Sequence, residues 1–393
     1  MELIRTHRAL FATLVLTVLY ALHYGIPLYA TSSYLIASGI SSAGVSFLYG
    51  FASLLTLFFS NHIAKYVQRY HTYTFTFSVL IIEIVTTIAF AMTKNNYLLI
   101  FFFLVHFILS STLFVLLNIF VESFTPIKQT GLVRGLFLTL LNIGMLLSPL
   151  IGGLLISGKG TDFTSLYIVS SLVLIPYFFF LHHYLREVRE PYYASHSLLQ
   201  AFRKIAGSRD LRAAVMAQFA LHSFYAIMVI YTPIYVTQML HIPLALYLTT
   251  IAPIALIPLV ILPYELGYLA DAKYGEKEFM FVGLTLIALC SFALGLMKTP
   301  SFLLVLVILF ISRVGASLVE TMAYTYYYKK ISKNDPAMSN FFTNITSLAT
   351  FVVPTFLFCI SPLLLTFPGL IYLLLGAGIL STLHSVAVMR DTK

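Results

Sequence analysis

Apolar runs of about twenty residues, nearly empty of charge, recur along the whole chain. Leu98–Leu117 is one of them, and Phe302–Ile311 is an uncharged ten-residue part of another. A hydrocarbon layer ~30 Å thick needs roughly 20 apolar residues per helical crossing. Backbone amides left unpaired in lipid are too costly, so only helices and closed barrels span it. Barrel strands alternate apolar and polar residues, and these runs do not. Of the 393 residues, 60% are hydrophobic and only 9% charged, whereas soluble domains carry about 25% charged residues. The chain therefore reads as an all-α membrane protein.

Twelve spans are expected, at 9–36, 43–62, 73–92, 97–121, 132–157, 164–184, 211–238, 244–267, 279–297, 301–326, 339–360 and 363–388. The hydrophilic stretch Arg186–Arg212 separates two sets of six. This gives an N-terminal six-helix bundle over 1–185, a linker over 186–210 and a C-terminal bundle over 211–393. Within the linker, Ser197 is placed to cap a short helix. Leu198, Leu199, Phe202 and Ile205 would form its apolar face and Gly207 would end it. The apolar run after Arg5 and Arg8 is too long for a signal peptide and reads as a retained first span.

Charge sets the orientation. With the N-terminus inside, 19 of the 23 Lys and Arg residues fall in cytoplasmic segments. Outside lie only Lys94, Lys159 and Lys298, and Arg313 is within a span. The positive-inside rule then puts both termini in the cytoplasm, with the cell membrane as location. The net charge of +9 is accounted for by topology, and no nucleic-acid partner is expected.

The two sets of spans repeat. Pro27-Leu-Tyr-Ala-Thr31 matches Pro233-Ile-Tyr-Val-Thr237, and Asn61-His-Ile-Ala-Lys65 matches Gly267-Tyr-Leu-Ala-Asp271, each 206 residues later. His106 and Arg313 stand 207 apart, Pro149 and Pro354 205 apart. A near-constant offset implies two related halves. Halves related in this way enclose a central substrate site in secondary transporters.

Two motifs carry a resemblance. Gly267, Leu269, Ala270, Asp271, Lys273, Gly275 and Lys277 fit the Gly-x-Leu-Ala-Asp loop pattern of the major facilitator superfamily. Gly135, Gly144, Pro149, Gly152 and Gly153 fit its fifth-helix pattern, with Ser148 replacing one glycine. The chain resembles that family over its whole length. The resemblance implies twelve helices in two pseudo-symmetric bundles and transport by alternating access. The fifth-helix pattern is similar to one found in its drug–proton antiporters, which implies proton-coupled export. Bottom-up, the same residues are a close-packing and kink element. In the resembling family the loop aspartate latches onto a helix of the other half. This implies a gate made by Gly267, Asp271, Lys273 and Gly275, with Arg134 as counter-charge. The first-half copy departs from the pattern at Asn61 and Lys65, so the gate is expected to be asymmetric.

Ionisable groups inside spans are functional candidates by default. Glu83, His23, His106, His222, Arg313 and Glu320 are the set. Arg313, Ser317 and Glu320 share one helical face, but Arg313 and Glu320 are two turns apart, too far to pair directly. Either Arg313 meets a substrate anion or water, with Glu320 as a gate or counter-charge, or Glu83 or a backbone carbonyl neutralises it in a structural pair. An imidazole titrates near neutral pH, so His106 could carry a coupling proton or could simply donate one buried hydrogen bond. Tyr20, Tyr24, Tyr29, Tyr225, Tyr231 and Tyr235 occupy spans one and seven. No phosphate-binding loop, metal-ligand spacing or nucleophile–base pattern is legible, so no enzyme, metal or cofactor is expected. The reading is a monomeric secondary transporter of a small organic solute, coupled to protons. A uniporter or importer, and a non-transporting sensor or scaffold on the same frame, are its alternatives.

Overall fold

The computed structural model describes residues 2–125, 130–158, 162–186, 198–269, 275–297, 301–331 and 336–390. Among them, twelve helices are long and apolar enough to cross a membrane. They are Arg8–Ala37, Ser42–Tyr70, Thr72–Met92, Asn96–Phe124, Gly135–Ile156 and Thr164–Tyr184. They continue with Arg209–Ile230, Leu244–Pro263, Glu276–Gly295, Phe302–Lys330, Phe341–Cys359 and Leu370–Ala387. We number them as spans one to twelve. No strand occurs among the described residues.

The repeat is visible in the elements themselves. Spans four and ten are both 29 residues long and begin 206 residues apart, at Asn96 and Phe302. Each is capped at its N-terminus by the preceding side chain, Asn95 in one and Ser301 in the other, which accepts from backbone amides of the first turn. Spans one and seven break near their ends. Helix Glu2–Leu28 gives way to Thr31–Ala37, and Arg209–Ile230 to Thr232–Gln238. A proline at each break lacks the amide that would continue the ladder. One turn on, a threonine hydroxyl donates to that proline's carbonyl, Thr31 to Pro27 at 2.9 Å and Thr237 to Pro233 at 2.7 Å.

Three expectations are corrected. The second span does not stop at residue 62. Its helix runs to Tyr70, with Ile63 and Val67 buried and Lys65, Gln68 and Arg69 exposed. Asn61–Tyr70 contains no glycine or proline, so nothing interrupts helix propagation. The break comes at His71, whose φ of 65° leaves the helical region. The twelfth span begins at Leu370, because Ser361–Thr366 forms a separate short helix. The linker helix Leu198–Gly207 is present, but it buries Ala201 and Ile205 and leaves Phe202 56% exposed.

The chain divides into two compact units, Met1–Ser41 with Phe51–Tyr193, and Ser42–Gly50 with Ala194–Lys393. The first unit's core stacks Leu16, Leu113, Leu116, Phe120, Leu174, Tyr177 and Leu181. Lipid is as apolar as leucine, so helix contact in a membrane depends on close packing rather than on removal from water. Span five approaches span one in this way. A Cβ on Gly144 would lie 2.5 Å from the Ala21 side chain, and one on Gly152 would lie 2.7 Å from the Ile26 carbonyl. Ser148 replaces a glycine of the family pattern; its hydroxyl donates to the Gly144 carbonyl of its own helix at 2.7 Å and lies 3.1 Å from the Ala21 carbonyl across the seam. Gly25 on span one leaves room for it, since a Cβ there would stand 2.5 Å from Ser148 Oγ. Pro149 lies inside the helix and Gly153 is buried, whereas Gly135 faces open space. In the second unit Gly283 and Gly315 bring spans nine and ten together, each facing the other's carbonyl at 2.6–2.7 Å from an added Cβ.

A buried proton cluster and an under-partnered arginine

Four spans of the first unit converge on Glu83, which is fully buried on span three. Its Oε1 lies 3.0 Å from His23 Nε2 of span one and 2.6 Å from His106 Nδ1 of span four. Ser110, one turn after His106, donates to the same oxygen at 2.7 Å. Behind His23, span six contributes Ser170. The Ser170 hydroxyl donates to the His23 carbonyl at 2.7 Å, and it lies 2.8 Å from His23 Nδ1. The Ser170 carbonyl is 3.1 Å from that nitrogen. Thr87 donates to the Glu83 carbonyl at 2.8 Å and stands 3.3 Å from His106 Nδ1. Phe90 and Tyr167 close over the His106 ring at 6.2 and 6.5 Å between centroids.

One placement of hydrogens gives each of these contacts a donor and an acceptor. The Ser170 hydroxyl hydrogen is committed to a carbonyl, so toward His23 Nδ1 the oxygen only accepts. The Ser170 carbonyl also only accepts. His23 Nδ1 therefore carries a hydrogen. On the other side of the ring, a bare nitrogen and a carboxylate oxygen would repel at 3.0 Å, so a second hydrogen lies between them. In that placement the cluster holds one hydrogen more than two neutral imidazoles and a carboxylate would supply. Formally it is an imidazolium–carboxylate pair beside a neutral His106, with no net charge. A net charge in a span costs about 2.5–3.5 kcal/mol on insertion scales. Neutrality is thus the form that a membrane interior favours. Glu83 Oε2 is buried with no hydrogen-bond partner in the protein.

His23, Glu83 and His106 also offer three ligand atoms within 4.8 Å of one another, residue types that suit zinc and its neighbours. In this arrangement each of those atoms is engaged in a hydrogen bond and Ser110 adds a further donor. The set suits a shared proton and, by residue type, a divalent metal. No sequence spacing marks it, because its members come from separate spans.

The second unit places its charges differently. Arg313, only 4% exposed on span ten, lies over the Phe224 ring of span seven at 4.7 Å and near Tyr225 at 6.0 Å. Its Nε and Nη1 have no hydrogen-bond partner in the protein, nor does the Ser317 hydroxyl one turn on. Glu320 accepts from the Tyr225 hydroxyl at 2.9 Å. His222 Nε2 is engaged by Gln218 Nε2 at 2.9 Å and Thr346 Oγ1 at 3.2 Å. Glu83 takes His23, His106 and Ser110 as its partners, all inside the first unit.

Of the expected gate, Gly275 caps helix Glu276–Gly295 with φ 78°, a conformation that glycine reaches without strain. Gly267 is helical. Asp271, Lys273 and the Arg134 side chain lie outside the described residues. Most of the expected tyrosines pack. Tyr20 stacks on Tyr24 at 5.9 Å, and Tyr235 donates to the Leu294 carbonyl at 3.0 Å. Ser170, Thr87 and Phe224 are site residues that the sequence reading omits. Ser170 and Thr87 are polar side chains deep in apolar runs, the only available signal. Phe224 is hidden among 34 phenylalanines.

Twelve spans in two related halves match the sequence profile of the Major Facilitator Superfamily over residues 9–354. The chain belongs to that superfamily. It is a multi-pass membrane protein of a transporter family and not an enzyme. Two solved structures share the superfamily fold. A bacterial homologue of the human lysosomal transporter Spinster, inward-facing and unoccupied, superposes with a TM-score of 0.75 at 13% identity, over 98% of this chain and 95% of that one. A mutant of the nucleoside transporter NupG gives a TM-score of 0.75 at 12% identity, over 98% and 100%. A search of curated proteins by sequence finds no significant match. At these identities the superfamily likeness concerns the fold alone.

Proposed function

We propose that the protein is a proton-coupled secondary transporter of a small organic solute, working by alternating access, with His23–Glu83–His106 as its proton site. The hydrogen count carries this reading. The cluster is neutral with its extra proton and anionic without it, so proton loss changes what the surrounding helices must solvate. Such a change is what couples a conformational equilibrium to a gradient. The fifth-span pattern supports export as the direction. The distribution of Lys and Arg supports cytoplasmic termini in a cell membrane, and Asp271 remains our choice for a cytoplasmic latch.

The test uses purified full-length protein in liposomes loaded with a pH-sensitive dye, under a pH gradient, with a panel of nucleosides, organic acids and cationic dyes. Solute-dependent proton movement is expected. Glu83→Gln should abolish it while solute exchange down its own gradient persists. Unchanged proton movement in Glu83→Gln would remove the assigned site. Solute flux without protons would make the protein a uniporter, and absence of both flux and binding would favour a sensor or scaffold.

A further inference from the structure

We infer that Arg313 is the docking point for an oxyanion, carboxylate or phosphate, carried by an organic solute with an apolar body. The inference rests on reading the chain as a transporter and names the class of its substrate. A guanidinium is charged at any working pH and offers five donors in a rigid plane. Burying it without acceptors is among the costliest arrangements a membrane protein can hold. Arg313 is 4% exposed, and its Nε and Nη1 lack partners in the protein. The nearest carboxylate on its own face, Glu320, accepts from Tyr225 instead.

What surrounds Arg313 favours an arriving anion over a resident one. Phe224 at 4.7 Å and Tyr225 at 6.0 Å stabilise the cation through their ring faces and offer it no hydrogen-bond acceptor there. Ser317, also without a partner, adds a hydroxyl one turn along the same face. Gln218 Oε1 is a third buried polar atom without a hydrogen bond, on span seven with Phe224 and Tyr225. The Tyr225–Glu320 bond ties that helix to span ten. Planar donors pair with carboxylate and phosphate oxygens two at a time, which is why arginine serves both. The Phe224 and Tyr225 rings are suited to the apolar remainder of such a solute.

The experiment measures thermal stabilisation of the full-length protein in nanodiscs by benzoate, phenyl phosphate, inorganic phosphate, benzamide and benzyl alcohol. A ligand that binds the folded state raises its apparent stability in proportion to ln(1 + [L]/Kd). Benzoate or phenyl phosphate should stabilise the protein, and which of them does so separates carboxylate from phosphate recognition. The neutral analogues should need concentrations about tenfold higher or more, the equivalent of one charge-assisted contact. Arg313→Gln should abolish this preference for anions, and Arg313→Lys should keep part of it, which controls for loss of the fold. Equal response to benzamide and benzoate, an Arg313→Gln variant that keeps the preference, or no response to any anion would overturn the inference. Inorganic phosphate as effective as phenyl phosphate would overturn its organic part. Proton movement is read separately in dye-loaded vesicles. Anion binding without proton movement leaves this inference standing and removes the coupling reading. Proton movement driven only by neutral solutes does the reverse.

Discussion

Glu83 and Arg313 are both charges buried in spans, and they are treated in opposite ways. The first unit surrounds Glu83 with His23, His106 and Ser110, three donors on one oxygen. The second unit gives Arg313 two ring faces and leaves two of its nitrogens without an acceptor. His106 and Arg313 stand at matching places in the repeat, and so do Ser110 and Ser317. One Ser donates to a carboxylate and the other has no partner. A duplicated frame has thus produced one site whose carboxylate gathers three donors on Oε1 while Oε2 stays bare, and one whose cation is short of a negative charge. A self-contained site can store a proton, whereas a site with a deficit can select a solute.

The contrast yields stability predictions, each read as the shift in thermal unfolding of purified protein in one detergent at one scan rate. Glu83→Ala should have the largest effect, a loss of about 3–5 kcal/mol, because it leaves His23, His106 and Ser110 buried without their shared acceptor. His23→Gln should follow at about 1–3 kcal/mol, through broken bonds to Glu83 and Ser170. Arg313→Met should act in the opposite sense and stabilise by about 1 kcal/mol, since an apolar side chain replaces a buried charge that lacks acceptors. A clear destabilisation by Arg313→Met would mean that the arginine is a structural keystone and that the contrast is false. The smallest pair is the sharpest. Ser110→Ala should cost about 1 kcal/mol and Ser317→Ala nearly nothing. Equal losses at the two positions would show that the halves are not functionally distinct.

Much of this was legible in the sequence. Apolar run length located the spans, and the offset between Pro27–Thr31 and Pro233–Thr237 exposed the duplication. Glu83, His23, His106 and Arg313 stood out individually, because charge in lipid is rare enough to notice. Their grouping was not legible. A sequence gives depth along a helix but not the rotation and packing of that helix against its neighbours. His23 and His106 meet through Glu83 only because spans one, three and four turn those faces together. The end of span two was misread for a different reason. A motif borrowed from Gly267–Asp271 suggested a loop at Asn61–Lys65, whereas local propensity there favours helix as far as Tyr70.

Gly283 and Gly315 have a mechanical consequence. Their backbones meet with no side chain between them, so any motion that presses spans nine and ten closer at this point meets backbone at once. Arg313 sits two residues from that weld. A force applied to its guanidinium is therefore not absorbed by one flexible side chain. It is delivered to a stiff double beam, and the arginine becomes a handle on two helices at once.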